Sequence, residues 1–353
     1  MNILLACGGS GGHIAPAIAV AERLTDHHCT FVLSQNKVDS FFAKKYAQFE
    51  FIHVSAMPFR LSPIAFARFC RSQLTSFRYA LKLLTQRHIK LVISFGGFTS
   101  LGFVLAAKFK KIPIILHESN QIPGKSTRVL AKFADKILLP PGVTIKHQQK
   151  KIISLDYPIR KEFKTISKEE ARKIIGWPVL KKIILVIGGS NGALALTKWA
   201  EQNFTKFAHY NTDIFCIAGP VLSQERAVNY EDCTLHMLPF CEEMNLAICA
   251  SDLVVSRAGA GTIAECRYHK RPMFLVPYPF AADNHQLANA KAAEKLGIAT
   301  VCEQNEIDTL TQKLLEVIKF PSNLNSKMHA MATNPISDAA EQFSVLVESM
   351  LHQ

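Results

Sequence analysis

Short runs of apolar, often β-branched residues alternate along this chain with longer segments whose apolar positions recur at helical spacing. Ile3–Cys7, Cys29–Ser34, Phe51–Val54, Leu91–Ser94, Ile112–Leu116 and Ile137–Leu139 read as strands, and Ala15–Leu24, Pro63–Gln86 and Ser100–Phe109 as helices between them. A strand with one wet face alternates apolar and polar residues. These runs are apolar almost throughout, which predicts a parallel sheet covered by helices on both faces. The pattern then restarts, with Lys181–Ile187, Ile214–Ala218, Thr234–Leu238, Leu253–Ser256, Met273–Val276 and Ala299–Val301 as six further strands. The restart carries a repeat: Cys7-Gly8-Gly9-Ser10-Gly11-Gly12 and Ile187-Gly188-Gly189-Ser190-Asn191-Gly192-Ala193 each follow the first strand of their half and open a helix. The expected fold is therefore α/β, two doubly wound domains over 1–155 and 156–320, joined near Ser154–Lys164 where Tyr157-Pro158 interrupts local structure. Residues 321–353 read as two helices separated by Asn334-Pro335. They bring no strand of their own, so the last helix is expected to pack back on the N-terminal domain.

Composition narrows the class. The 353 residues are 48% hydrophobic and 20% charged, which excludes a disordered or collagen-like chain. No window reaches the roughly 18 uninterrupted apolar residues of a membrane-spanning helix. Leu4-Leu5-Ala6-Cys7 looks like a lipoprotein cleavage box but lacks a basic leader, and reads as a first buried strand. The nine cysteines include no Cys-x-x-Cys, so buried thiols are expected, with no metal and no cofactor. The charge is uneven. Residues 1–155 hold 21 Lys and Arg against 6 Asp and Glu, whereas 156–353 hold 20 against 22. From Phe51 to His117 there are ten basic residues and no acid, so the first half is expected to meet something anionic.

Glycine-rich turns between a strand and a helix present backbone N–H groups, with the positive end of the helix behind them, and so form anion sites. A dinucleotide site is excluded, because Gly9-Ser10-Gly11-Gly12-His13-Ile14 lacks the last glycine of Gly-x-Gly-x-x-Gly and the second strand ends without an acid, at Ser34-Gln35-Asn36. No P-loop is present. His13, at a helix start that disfavours imidazolium, is a candidate proton acceptor or a cap for the turn. Ser100 is a candidate N-cap after Gly96-Gly97-Phe98-Thr99, and His117, Glu118 and Asn120 follow a strand at the edge where open α/β sheets bind ligands. In the second half Ser256–Glu265 again runs strand, turn, helix, and places Glu265 where a carboxylate can accept both hydroxyls of a ribose.

Taken in order, Gly8–Pro16, Phe95–Ser100, Leu116–Gly124, Tyr157–Arg160, Ile187–Ala193, Ser256–Glu265 and Val276–Asn289 resemble the MurG family over essentially the whole chain. The resemblance implies a GT-B fold, two Rossmann-like domains facing a deep cleft, and an inverting transfer of GlcNAc from UDP-GlcNAc to lipid I, undecaprenyl-pyrophosphoryl-MurNAc-pentapeptide, giving lipid II. It implies a ribose contact for Glu265, diphosphate contacts for Arg160, Ser190 and Asn191, and a loop bordering uracil for Phe240, Cys241 and Met244. Ala260, Gly261 and Thr262 match the turn at the sugar and α-phosphate, and Gln286 an amide that reads GlcNAc hydroxyls. Gly11, Gly12 and His13 match the loop assigned to the acceptor pyrophosphate or the general base, with Glu118 as the second candidate base. Ser100, His117 and Asn120 complete the acceptor side. Three positions depart from the family: Asp156-Tyr157 where it has Gly-Asn, Asn191 for a glutamine, and His285 for the first of two glutamines. The absence of Asp-x-Asp fits leaving-group stabilisation without a divalent ion.

Membrane contact follows from the acceptor. Phe59, Leu61, Ile64, Phe66, Phe69 and Phe77 interleave with Arg60, Arg68, Arg71, Arg78 and Lys82, a mixture suited to an anionic bilayer surface. The alternative is a core helix with a solvated basic face. No nucleic-acid recognition module is present. The expected location is peripheral, on the cytoplasmic face of the inner membrane, with a cell-wall synthesis complex as further partner. Two other functions fit the same motifs: a GT-B enzyme glycosylating another lipid such as diacylglycerol, or a UDP-sugar-binding protein without catalysis.

Overall fold

The computed structural model describes residues 1–55, 62–188, 193–320 and 322–352. Fourteen strands are present among these residues. In the first half they are β1 (Asn2–Ala6), β2 (His28–Leu33), β3 (Glu50–His53), β4 (Ile89–Ser94), β5 (Ile114–His117), β6 (Lys136–Leu139) and β7 (Ile152–Ser154). Helices α1 (Gly11–Ala21), α2 (Lys37–Lys45), α3 (Pro63–Gln86), α4 (Ser100–Phe109) and α5 (Lys125–Leu130) lie between them. The second half runs α6 (Lys168–Ile175), β8 (Lys182–Ile187), α7 (Leu194–Asn203), β9 (Thr212–Ile217), β10 (Arg226–Tyr230), β11 (Cys233–Leu238), α8 (Met244–Ala250), β12 (Leu253–Ser256), α9 (Ala260–Tyr268), β13 (Met273–Leu275), α10 (His285–Lys295), β14 (Ala299–Val301), α11 (Leu310–Lys319), α12 (Ser322–Thr333) and α13 (Ala339–Leu351). The chain divides into two compact units, Met1–Lys161 with Ser337–Gln353, and Glu162–Ile336.

Each unit is a seven-stranded sheet, ordered β3-β2-β1-β4-β5-β6-β7 in the first and β10-β11-β9-β8-β12-β13-β14 in the second. All pairings are parallel except β10 with β11. In the first sheet Leu5 lies opposite Phe31 on one side and Ile93 on the other. The period of two along β1 serves both faces: Ile3, Leu5 and Cys7 join the core under α1 and α13, while Leu4 and Ala6 join the core under α3 and α4. This is why the strands are apolar without alternation.

Two strands were not apparent from the pattern. β7 has only three residues, and β10 is exposed along its whole length at an antiparallel edge, so neither carries a buried run. The long helix α3 starts at Ser62, whose hydroxyl accepts from the Ala65 N–H at 3.2 Å, with Pro63 in the first turn. It crosses α4 closely at Gly102, where a methyl group would fall 2.8 Å from the Ser76 Cβ. The departure at Asp156 has a local purpose, since its Oδ2 accepts both the N–H and the hydroxyl of Ser337 at 3.1 Å where the chain re-enters the first unit. From there α13 packs on the first unit's core through Phe343 and Val347, and His27 reaches Glu348 at 2.7 Å. In the second unit the buried Arg172 fastens α6, donating to the carbonyls of Ala250, Val179 and Lys181 and to Asp252.

Candidate functional site

The switch point of the first sheet lies between β1 and β4, and three loops meet at the carboxyl ends there. The β1–α1 turn carries Gly8 to Ser10 and leads into Gly11, Gly12 and His13 on the first turn of α1. His13 is half-buried, and its Nδ1 lies 3.3 Å from the Ser10 hydroxyl. The β4–α4 turn passes against it. Gly97 has φ +80°, and a methyl group there would meet the Gly8 carbonyl oxygen at 2.9 Å and His13 Nδ1 at 3.3 Å, so only glycine lets these turns approach. Ser100 is not the N-cap. Thr99 is already helical, so Ser100 is the first residue of α4; it is fully buried, and its hydroxyl contacts the carbonyls of Gly96 at 2.6 Å and Ala6 at 3.1 Å. It holds the turn from beneath.

His117 and Glu118 end β5. The His117 ring is 2% exposed and packs between Phe95 and Phe343, with ring centroids at 5.3 and 5.8 Å. Burial lowers its pKa to about 4; the Glu118 charge opposes this and His13 adds to it, so the imidazole is neutral near pH 7. Glu118 collects donors on both oxygens. Oε1 accepts from the N–H groups of Ser119 and Asn120 at 3.0 Å and the Asn120 side chain at 2.8 Å, and Oε2 from the Gly124 N–H at 2.9 Å and the Thr127 hydroxyl at 2.8 Å. Burial pushes the carboxyl up, but the bonds from Gly124, Asn120 and Thr127 outweigh it and hold it below the ordinary range. Five donors saturate the lone pairs of a carboxylate. All five donors come from residues 119–127, so Glu118 is bound within the β5–α5 loop and its helix.

Two residues that shape this edge were missed. Asp39 on α2 is fully buried; its Oδ2 accepts from Gly9 N–H at 3.1 Å and from Ser34 N–H and hydroxyl at 2.7 and 2.8 Å, fixing the glycine turn to the end of β2. Its signal was Asn36-x-x-Asp39, a helix start, with the Asn36 side chain accepting from the Asp39 N–H at 2.8 Å. Thr127, which joins Glu118 beside Gly96, had no signal of its own. Arg160 is 9% exposed, donates to the Tyr46 hydroxyl at 3.2 Å and lies over the Phe42 ring at 5.8 Å, which anchors it on α2 in the first unit.

In the second unit the switch point lies between β8 and β12. Gly188 N–H is engaged by the Ile217 carbonyl at 3.2 Å and so is not an anion donor. Ser190 and Asn191 lie outside the described residues, as do Phe59, Arg60 and Leu61 of the basic stretch. Ala260, Gly261 and Thr262 form the first turn of α9, with Glu265 half-buried on the same helix. Asn289 fixes that turn by donating to the Ala258 carbonyl at 3.1 Å. Gln286 Oε1 accepts the Tyr278 N–H at 3.0 Å, which orients its amide, and Arg257 ties the same loop through the carbonyls of Val276 and Pro277 and through Gln304. Phe240, half exposed, and Cys241 follow β11, and Met244 opens α8 at the same carboxyl edge.

Comparison with known proteins places this arrangement. Residues 3–139 match the glycosyltransferase family 28 N-terminal domain and residues 183–343 its C-terminal domain. A protein of Opitutus terrae named UDP-N-acetylglucosamine–N-acetylmuramyl-(pentapeptide) pyrophosphoryl-undecaprenol N-acetylglucosamine transferase is 36% identical over 338 residues, covering 92% of this chain and 90% of its own. A Crocosphaera subtropica protein of the same name is 30% identical over 353 residues, covering 99% of both. The crystal structure of Acinetobacter baumannii MurG superposes with a TM-score of 0.74 at 23% identity, covering 99% of each chain, and shares the fold.

Proposed function

The chain belongs to the MurG family of glycosyltransferase family 28, and from that premise we propose that it transfers GlcNAc from UDP-GlcNAc to the C4 hydroxyl of MurNAc in lipid I, forming lipid II for peptidoglycan. The observation that carries this is end-to-end similarity to relatives bearing that name, at 36% identity over 92% of the chain. The attack of the C4 oxygen on C1 of GlcNAc forms a β-1,4 bond with inversion, while the bond from C1 to the diphosphate breaks and UDP departs. His13 takes the hydroxyl proton. The ring has Ser10 on Nδ1, and the neutral His117 behind it adds no positive charge to the site at pH 7. Glu265 and Gln286 hold ribose and sugar hydroxyls, and the amino end of α9 at Ala260–Thr262 stabilises the departing diphosphate.

The acceptor's lipid tail calls for a surface that rests on a membrane. α3 supports this reading: Ile64, Phe66, Leu74 and Tyr79 are exposed along it, with Phe109 at the end of α4, and Arg68, Arg71, Arg78 and Lys82 stand exposed among them. No helix among the described residues is long and apolar enough to cross a membrane. The protein therefore docks from the cytoplasmic side of the inner membrane, where UDP-GlcNAc is supplied and a cell-wall synthesis complex would meet it. The deciding experiment incubates the purified protein with radiolabelled UDP-GlcNAc and a short-chain lipid I analogue, with diacylglycerol in parallel. Label in the lipid I product establishes donor, acceptor and reaction together. Label in diacylglycerol alone overturns the wall-synthesis reading, and bound donor without transfer to either identifies a binding protein. For the surface, vesicles rich in anionic lipid should bind the protein well above neutral ones; equal binding removes the electrostatic argument.

A further inference from the structure

We propose that a basic groove on the outer face of α2 holds the carboxylate-bearing peptide arm of the acceptor. This inference rests on the transfer reaction above and adds a subsite to it. The groove, about 870 Å³, lies at the carboxyl ends of β2 and β3 and is lined by Gln35, Lys37, Ser40, Phe41, Lys44 and His53. It borders the reacting edge, since α2 packs against the glycine turn: a methyl group at Gly11 would meet Phe42 at 3.6 Å and Val38 at 3.8 Å.

Its chemistry is one-sided. Lys37 and Lys44 are exposed, and among the described residues neither has a hydrogen bond or an ion pair. The acid of this helix start, Asp39, is fully buried and turned toward Gly9 and Ser34, so no carboxylate faces the groove. His53 donates from Nδ1 to the Ser34 carbonyl at 3.0 Å, which leaves Nε2 for a ligand. The two lysines are seven residues apart on one helix, about 10 Å along its axis and on the same face. This rise matches about three residues of extended peptide, with Phe41 between the two lysines along the helix. The basic lining and the spacing fit an extended chain carrying two carboxylates about three residues apart, and the relatives' name specifies an acceptor with a pentapeptide.

The test compares acceptors with and without the peptide in the wild type and in Lys37→Gln/Lys44→Gln, with thermal unfolding as the control for folding. Wild type is expected to show a KM about tenfold lower for the peptide-bearing acceptor, and the double variant to lose that preference. A preference retained in the variant overturns the proposal. So does a parallel rise in KM for both acceptors, which assigns the lysines to the diphosphate, or a matching loss of binding to anionic vesicles, which assigns them to lipid headgroups. A second measurement needs no turnover. A free pentapeptide with carboxylates three residues apart, titrated against full-length protein, should shift amide resonances of α2 in wild type only, and its uncharged amide should shift none. If wild type transfers to neither acceptor, the reaction proposed above fails, and this titration alone upholds or overturns the groove.

Discussion

Glu118→Gln separates a loop organiser from a catalytic base. The carboxylate receives three donors on Oε1 and two on Oε2, at 2.8 to 3.0 Å. An amide keeps one oxygen. In its better orientation that oxygen keeps the Ser119 and Asn120 contacts, now without charge, and its NH2 confronts the Gly124 N–H and the Thr127 hydroxyl. The hydroxyl can rotate to accept, but the Gly124 N–H cannot. One unmade buried bond costs about 1–3 kcal/mol, and weakening three charge-assisted bonds brings the total to about 3–5 kcal/mol. The first unit should lose this stability while the second does not. Both tryptophans, Trp177 and Trp199, lie in the second unit, so their fluorescence reports that unit alone. In urea, the circular dichroism transition of Glu118→Gln should therefore split, with an early phase that fluorescence does not see. Turnover should fall together with acceptor affinity, because the β5–α5 loop loosens. A variant within about 0.5 kcal/mol of wild-type stability that has lost a hundredfold or more in kcat would refute the organiser and restore Glu118 as the base.

Other consequences follow from the same edge. His13→Ala should lower kcat by about 10²–10⁴ and leave UDP-GlcNAc binding by calorimetry nearly unchanged; the reverse makes His13 a donor ligand. His117 is depressed to about 4 in the folded state by burial, so below about pH 6.5 the unfolded chain takes up a proton that the native one refuses. Stability should fall by about 1.4 kcal/mol per pH unit between 6.5 and 4, and His117→Gln should flatten that slope in the first unit. Buried His269, also lowered to about 4, should impose the same slope on the second unit, which tryptophan fluorescence follows. Glu118 acts elsewhere on the scale: its lowered carboxyl contributes stability above the ordinary carboxylate range and loses it only as pH falls below that. Phe343→Ala should cost about 3–5 kcal/mol and reduce turnover by loosening His117, with Phe343→Leu recovering most of both; an active Phe343→Ala protein would show that α13 does not support the site.

The sheets were legible because burial on both faces forces apolar residues at every strand position, and short uninterrupted runs of them are hard to mistake. β7 and β10 escaped because neither is buried in that way: one has three residues, and the other lies exposed at the edge beside β11. The bounds of α3 and α4 were legible, at Pro63–Gln86 and Ser100–Phe109, but the cap of α4 was not: Ser100 is its first helical residue, and no side chain caps the helix. The short α6, capped by Ser167, was not read at all. Asp156 shows a different limit. It departs from the family pattern and binds Ser337, 181 residues away, to which no local pattern points.

The site divides along the same line. Residue types and their order along the chain predicted which loops gather at the carboxyl edges, because strand-to-helix turns in a parallel sheet all open on one side. They did not predict what each polar group does there, because that depends on where its hydrogen bonds go. Ser100 and Glu118 are both polar residues in glycine-rich loops at that edge, and both turn out to be engaged by the backbone around them. Asp39 stands between Lys37 and Lys44 in the sequence, yet it is buried and holds Gly9 in place. A polar residue at such an edge is thus a candidate for chemistry only while it keeps an unengaged donor or acceptor. By that criterion the saturated carboxylate of Glu118 is the weaker candidate base and His13 the stronger, and Lys37 and Lys44 are the groups on which the proposed peptide subsite rests.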